Sequence, residues 1–111
     1  MITISRNNSA TTVFDFTVPV LTTNFVFNIY GNGINKIFKV EDNLPYTDSD
    51  LWGFDIIVGE FEYLYNGYIN IPDGQYTIDV YQQEHSFLPV DNVSLQENII
   101  NKIYTNDLTI N

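Results

Sequence analysis

Few side chains in this sequence stand where chemistry could use them. Asp48-Ser49-Asp50-Leu51-Trp52-Gly53 has acids at the first and third positions and glycine at the sixth of a calcium loop, a pattern that wraps oxygen ligands around a hard cation. The fifth position is Trp52 and the twelfth is Gly59, so the third side-chain ligand and the closing glutamate are missing, and the stretch reads as a solvated loop. Glu60 and Glu62 are two apart on an expected strand, with side chains on one face roughly 7 Å apart, a separation that suits paired glycosidase carboxylates. Two acids on a solvated strand face need no such role. His85 is the only histidine, which removes every His-pair metal site. No serine lies in a G-x-S-x-G elbow, no phosphate-cradling glycine loop occurs, and no cysteine is available as nucleophile or thiolate ligand. The expectation is a protein without catalytic residues, metal or cofactor.

Aromatic residues are the more suggestive group. The chain holds 8 Tyr, 8 Phe and 1 Trp in 111 residues, more than a small core requires. Tyr30, Tyr63, Tyr65, Tyr68, Tyr81 and Trp52 fall off the core period or beside turns, where they would cover sheet edges, stack on sugars or anchor a protein interface. Tyr76 has a different position. It follows Asp73-Gly74-Gln75 at the start of a strand and precedes Ile78 by two, the spacing of the tyrosine corner of immunoglobulin-type sandwiches. Its hydroxyl should return to the backbone upstream, and Ile78 should take the core position that a cysteine holds in those domains.

The elements that must position these residues are strands. Apolar residues alternate through Phe14-Phe16-Val18, Phe25-Phe27-Ile29, Phe38-Val40, Phe54-Ile56-Val58 and Tyr76-Ile78-Val80. Gly31-Asn32-Gly33, Asn66-Gly67 and Pro72-Asp73-Gly74 supply turns, and residues 41–50 a loop crossing between sheets. Strands are expected over about 1–5, 11–19, 24–30, 35–40, 53–58, 61–65, 68–71, 75–82 and 99–104, with an irregular excursion at 84–98. Residues 1–111 thus read as one all-β domain, a single antiparallel β-sandwich of seven to eight strands.

Charge narrows the partners. With 14 acidic residues against 4 basic ones and a net charge of -10, the domain would repel a phosphate backbone or an anionic membrane and would favour a basic protein surface. The first residues carry neither a secretory signal nor a membrane span, so the chain is expected in the cytoplasm or in whatever assembles there.

The order of segments resembles a family of small proteins in crAss-like and related tailed bacteriophages of Bacteroides-type gut bacteria. The matching pieces are Met1-Ile2-Thr3-Ile4 with Thr11-Thr12-Val13-Phe14, the strands 24–30 and 36–42, Phe54-Asp55-Ile56, and the run Ile71-Pro72-Asp73-Gly74-Gln75-Tyr76 continuing through Val80-Tyr81-Gln82-Gln83. The resemblance implies an immunoglobulin-like sandwich serving as an auxiliary, or decoration, protein of the capsid, with the major capsid protein as partner and the virion as location. It implies no catalytic residues, and residues 84–98 and 105–111 depart from it. The attachment surface expected here is the acidic loop Glu41, Asp42, Asp48 and Asp50 as rim, with Trp52 as desolvated anchor. A carbohydrate-binding or adhesive module, making weak glycan contacts through exposed Tyr and Trp, is the alternative.

Overall fold

A computed structural model of the chain describes residues 1–16, 25–40, 44–45, 51–64, 66–83 and 99–111. Ten strands are named in it: β1 (Ile2–Ile4), β2 (Thr12–Asp15), β3 (Phe25–Gly31), β4 (Ile34–Phe38), β5 (Leu44–Pro45), β6 (Leu51–Phe54), β7 (Ile57–Val58), β8 (Tyr68–Ile69), β9 (Gly74–Gln83) and β10 (Ile99–Ile110). The larger sheet has the order β1-β10-β9-β3-β4, a second has β2-β6-β5, and β7 pairs with β8. Expected and observed strands coincide closely at 24–30, 35–40 and 75–82, whereas the expected strand 53–58 is divided between β6 and β7 of different sheets, and β5 falls within the expected loop 41–50. β3 and β4 are joined by Asn32-Gly33, with φ of 50° and 76°, the two positive values that a tight hairpin turn requires.

Two expectations about the sheets are corrected. The sandwich was expected to be antiparallel, but β1 runs parallel to β10, pairing Ile2, Thr3 and Ile4 with Leu108, Thr109 and Ile110, and β7 runs parallel to β8. The chain brings its first strand beside its last with both pointing the same way, which alternation within each strand cannot reveal. β10 itself covers twelve residues and not the six of 99–104, because Asp107 and Thr109 continue the alternation with Leu108 and Ile110 buried. Residues 84–98, and the expected extension of β2 over 17–19, lie outside the described residues.

The core lies between the two larger sheets. Phe27 of β3 meets Phe54 of β6 at 4.8 Å, Phe25 meets Trp52 at 5.0 Å, and Phe14 of β2 meets Phe27 at 5.7 Å and Tyr104 of β10 at 5.5 Å. Most of these contacts are tilted or edge-on, the geometry in which ring quadrupoles attract, and each adds about 0.5–1.5 kcal/mol to the area it buries. Ile56, Val58, Ile69 and Ile71 extend the same core beneath β7 and β8. The opposite face of the larger sheet is covered in part too: Val26, Ile37 and Asp79 are buried there, although alternation alone would put them in solvent.

Candidate functional site

The segment from Gly59 to Asn70 carries the most exposed large ring in the described residues. Phe61 is 64% exposed and Tyr63 38%, and with Tyr68 they form a cluster: Phe61 and Tyr68 lie edge to face at 5.3 Å, Phe61 and Tyr63 at 6.5 Å. The chain reverses because Gly67 adopts φ 78°, and a Cβ there would collide with the carbonyl oxygen of Asp55. Only glycine fits. Tyr63 N–H donates to Tyr68 O at 2.8 Å, Gly59 N–H to Ile69 O at 3.0 Å and Ile57 N–H to Gly67 O at 2.8 Å. The hairpin is also fastened to the chain after β4, since Lys39 N–H donates to Leu64 O and Gly67 N–H to Lys39 O.

Acidic side chains brace and rim this platform. Glu62 accepts from Lys36 Nζ at 2.8–2.9 Å and from the Asn70 backbone N–H at 3.1 Å, so its carboxylate is already held. Glu60 stays exposed beside it, with only its backbone carbonyl near Asn70 Nδ2. The strand expected over 61–65 is instead, over 61–64, a hairpin limb with a single bridge, Tyr63 to Tyr68. An apolar anchor held in one orientation, with negative charge at its margin, can bind a protein surface without paying to order a loop.

The remaining expected site residues are distributed as follows. Tyr76 is buried, and its hydroxyl donates to the carbonyl of Pro72 at 2.7 Å, four residues upstream. Ile78 is fully buried. Trp52, expected at the surface as an anchor, is instead in the core at 7% exposure, stacked on Phe16 at 5.9 Å. The reason is where β6 begins. A strand starting at Gly53 leaves Trp52 outside, whereas β6 starts at Leu51, so Trp52 and Phe54 share its inward face. Its Nε1 is buried with no hydrogen-bond acceptor among the described residues. Glu41, Asp42, Asp48 and Asp50 lie outside the described residues, as does His85. Gly53, read as the sixth position of a cation loop, is a buried β6 residue paired with Val13 and Leu44.

One buried acid stands on the outer face of the larger sheet. Asp79 is 2% exposed; its Oδ1 accepts from Thr105 Oγ1 at 2.6 Å, and its Oδ2 lies 3.4 Å from Tyr81 Oη and 3.8 Å from Lys102 Nζ. Burial raises the pKa of Tyr81, and the Asp79 charge raises it further. These contacts satisfy the carboxylate within the sheet and make it a cross-strand tie from β9 to β10.

Phe61 was not among the rings expected at the surface. Its alternation with Glu60 and Glu62 matches a core-facing strand residue, and only the hairpin geometry turns it outward. Among the described residues no group of three or more His, Cys, Asp or Glu could hold a metal ion, and no helix is long and apolar enough to cross a membrane. No family model matches the chain, and neither the curated proteins nor the solved structures compared with it give a match.

Proposed function

We propose that this chain is a non-enzymatic structural protein of a bacteriophage virion, an auxiliary protein bound to the capsid surface through the Phe61–Tyr63–Tyr68 platform. The observation that carries this reading is Phe61 itself: a phenylalanine 64% exposed on a braced hairpin, in a chain of net charge -10. An exposed apolar ring with an acidic margin suits a partner that offers an apolar pocket within a basic surface. The major capsid protein is the partner that the sequence resemblance points to.

An immunoglobulin-like sandwich is the architecture we infer for it. β2-β6-β5 corresponds to strands B, E and D of that fold, and β10-β9-β3-β4 to G, F, C and C′ of its variable type. The Tyr76 to Pro72 hydrogen bond stands at the start of the strand equivalent to F, and Ile78 fills the place of its cysteine.

The test is retention on purified shells of a major capsid protein from a phage that encodes this chain, measured by co-sedimentation. Phe61→Ser should fold as the parent does and lose retention, and retention of the parent should fall from low to high salt. Parent-like retention of Phe61→Ser would overturn the platform as attachment surface, and failure of the parent itself to sediment with shells would overturn the virion role. A glycan-binding role is the second reading, favoured by Asn70 and Glu60 beside the rings. It predicts glycan-dependent shifts of the Phe61 and Tyr68 ring resonances in the isolated chain.

A further inference from the structure

Among the described residues the larger sheet ends at β1 and the three-stranded sheet ends at β2, and both edges open onto one groove of about 280 Å³ walled by residues 1–5, 8 and 10–13. On β1, Ile4 O accepts from Asn111 N–H at 3.2 Å, so Ile2 and Ile4 aim their backbone groups at β10. Thr3, between them, aims its N–H and C=O at the open side. β2 is paired only with β6 among the described residues, so alternate residues of its four present backbone groups to the groove as well. Val13, in the middle of β2, is 47% exposed.

In a sandwich of the type proposed above, the sheet containing B, E and D holds a fourth strand, A, beside B. Here the first strand has gone to β10 instead, and among the described residues nothing is paired in the place beside β2. We propose that this groove accepts an extended, basic segment of a partner protein as an added strand along β2. Backbone pairing would supply most of the contact, as in other recognition by strand addition, with alternate side chains entering the groove.

The groove wall fixes the chemistry of the guest. It carries threonine and serine hydroxyls (Thr3, Ser5, Thr11 and Thr12) and no ionised side chain, so small apolar or hydroxyl side chains fit inward. Arg6, the basic side chain closest in sequence, is committed to Asp73 at 2.9 Å and to the carbonyl of Ile71. Outward side chains of the guest meet the field of a chain with net charge -10, which attracts Lys and Arg and disfavours a second copy of this chain. This inference rests on the immunoglobulin-type strand order for what is missing, and on the open edges for what is present. It is independent of Phe61.

The probe is a capped nine-residue peptide alternating valine and lysine, titrated into the ¹⁵N-labelled chain. Amide shifts and slowed hydrogen exchange should appear at Thr3 and across Thr12–Asp15, and should be lost at high salt. A peptide with glutamate in place of lysine should give none, and Phe61→Ser should bind the lysine peptide unchanged. Shifts confined to β4, to β5 or to the Phe61 hairpin would overturn the proposal, as would no response at all. Equal binding of the glutamate peptide would overturn the basic partner, and concentration-dependent protection of β2 without peptide would assign the groove to a second copy.

Discussion

Tyr76 ties the turn before β9 to the core through one hydroxyl, and removing that hydroxyl isolates the bond. Tyr76→Phe should lower unfolding free energy by about 1 kcal/mol in urea titration, with Pro72 O left to find water. Trp52 makes the opposite case, because its ring contributes and its orphaned Nε1 detracts. Trp52→Ala should cost about 3–5 kcal/mol, and Trp52→Phe far less, since it removes the unpaired donor along with part of the ring. The phenols add a pH dependence. Burial raises the pKa of Tyr76 and Tyr81 above 10.0, and Asp79 adds to the shift at Tyr81. The folded chain therefore favours the protonated phenols, so this stabilisation is complete below the unfolded value and disappears as pH rises through the folded ones. The urea midpoint should fall as pH rises past about 10, the unfolded value, and fall less in Tyr81→Phe. The role of Tyr76 was legible because its spacing to Gly74 and Ile78 is local. Trp52 was not, because its face depends on a strand boundary one or two residues away.

At the scale of elements, the hairpin from Gly59 to Asn70 matters most, and Gly67 is its weak point. Gly67→Ala meets both a positive φ and a backbone carbonyl, so it should destabilise by about 1–3 kcal/mol or more. Hydrogen exchange would localise the effect: the amides of Tyr63 and Lys39 should lose protection before those of β9. The turn was readable as Asn66-Gly67, and so were the strict alternations of β3 and β9. The outward Phe61 was not, because a hairpin limb with one bridge has no periodicity to break. Val26 and Asp79 show the complementary failure. Period two assigns one face to solvent, whereas the central strands of the larger sheet are covered on both faces, a fact of packing that no single strand encodes.

At the scale of the whole molecule, the parallel pairing of β1 with β10 closes only one end of a long edge. β1 covers Leu108–Ile110, while the rest of β10 is protected by two register shifts against β9 and by Asn101, Lys102 and Asp107. Removing residues 1–4 should bare the outer edge of β10 at Leu108–Ile110 while leaving its pairing with β9, and so lower the melting temperature and promote concentration-dependent association, read by light scattering. Single residues gave no warning of this dependence, since Ile2 to Ile4 reads like any short strand and its partner lies more than a hundred residues on. The same pairing determines how the protein meets a mechanical load. If residues 1 and 111 were pulled apart, β1 would be drawn along β10 and not peeled from it. The ladder bonds, together with those from Arg6 N–H to Asn111 O and Asn111 N–H to Ile4 O, would share the force and fail together. Tension applied between the two ends would then meet its main resistance at this seam, before the phenylalanine core is disturbed.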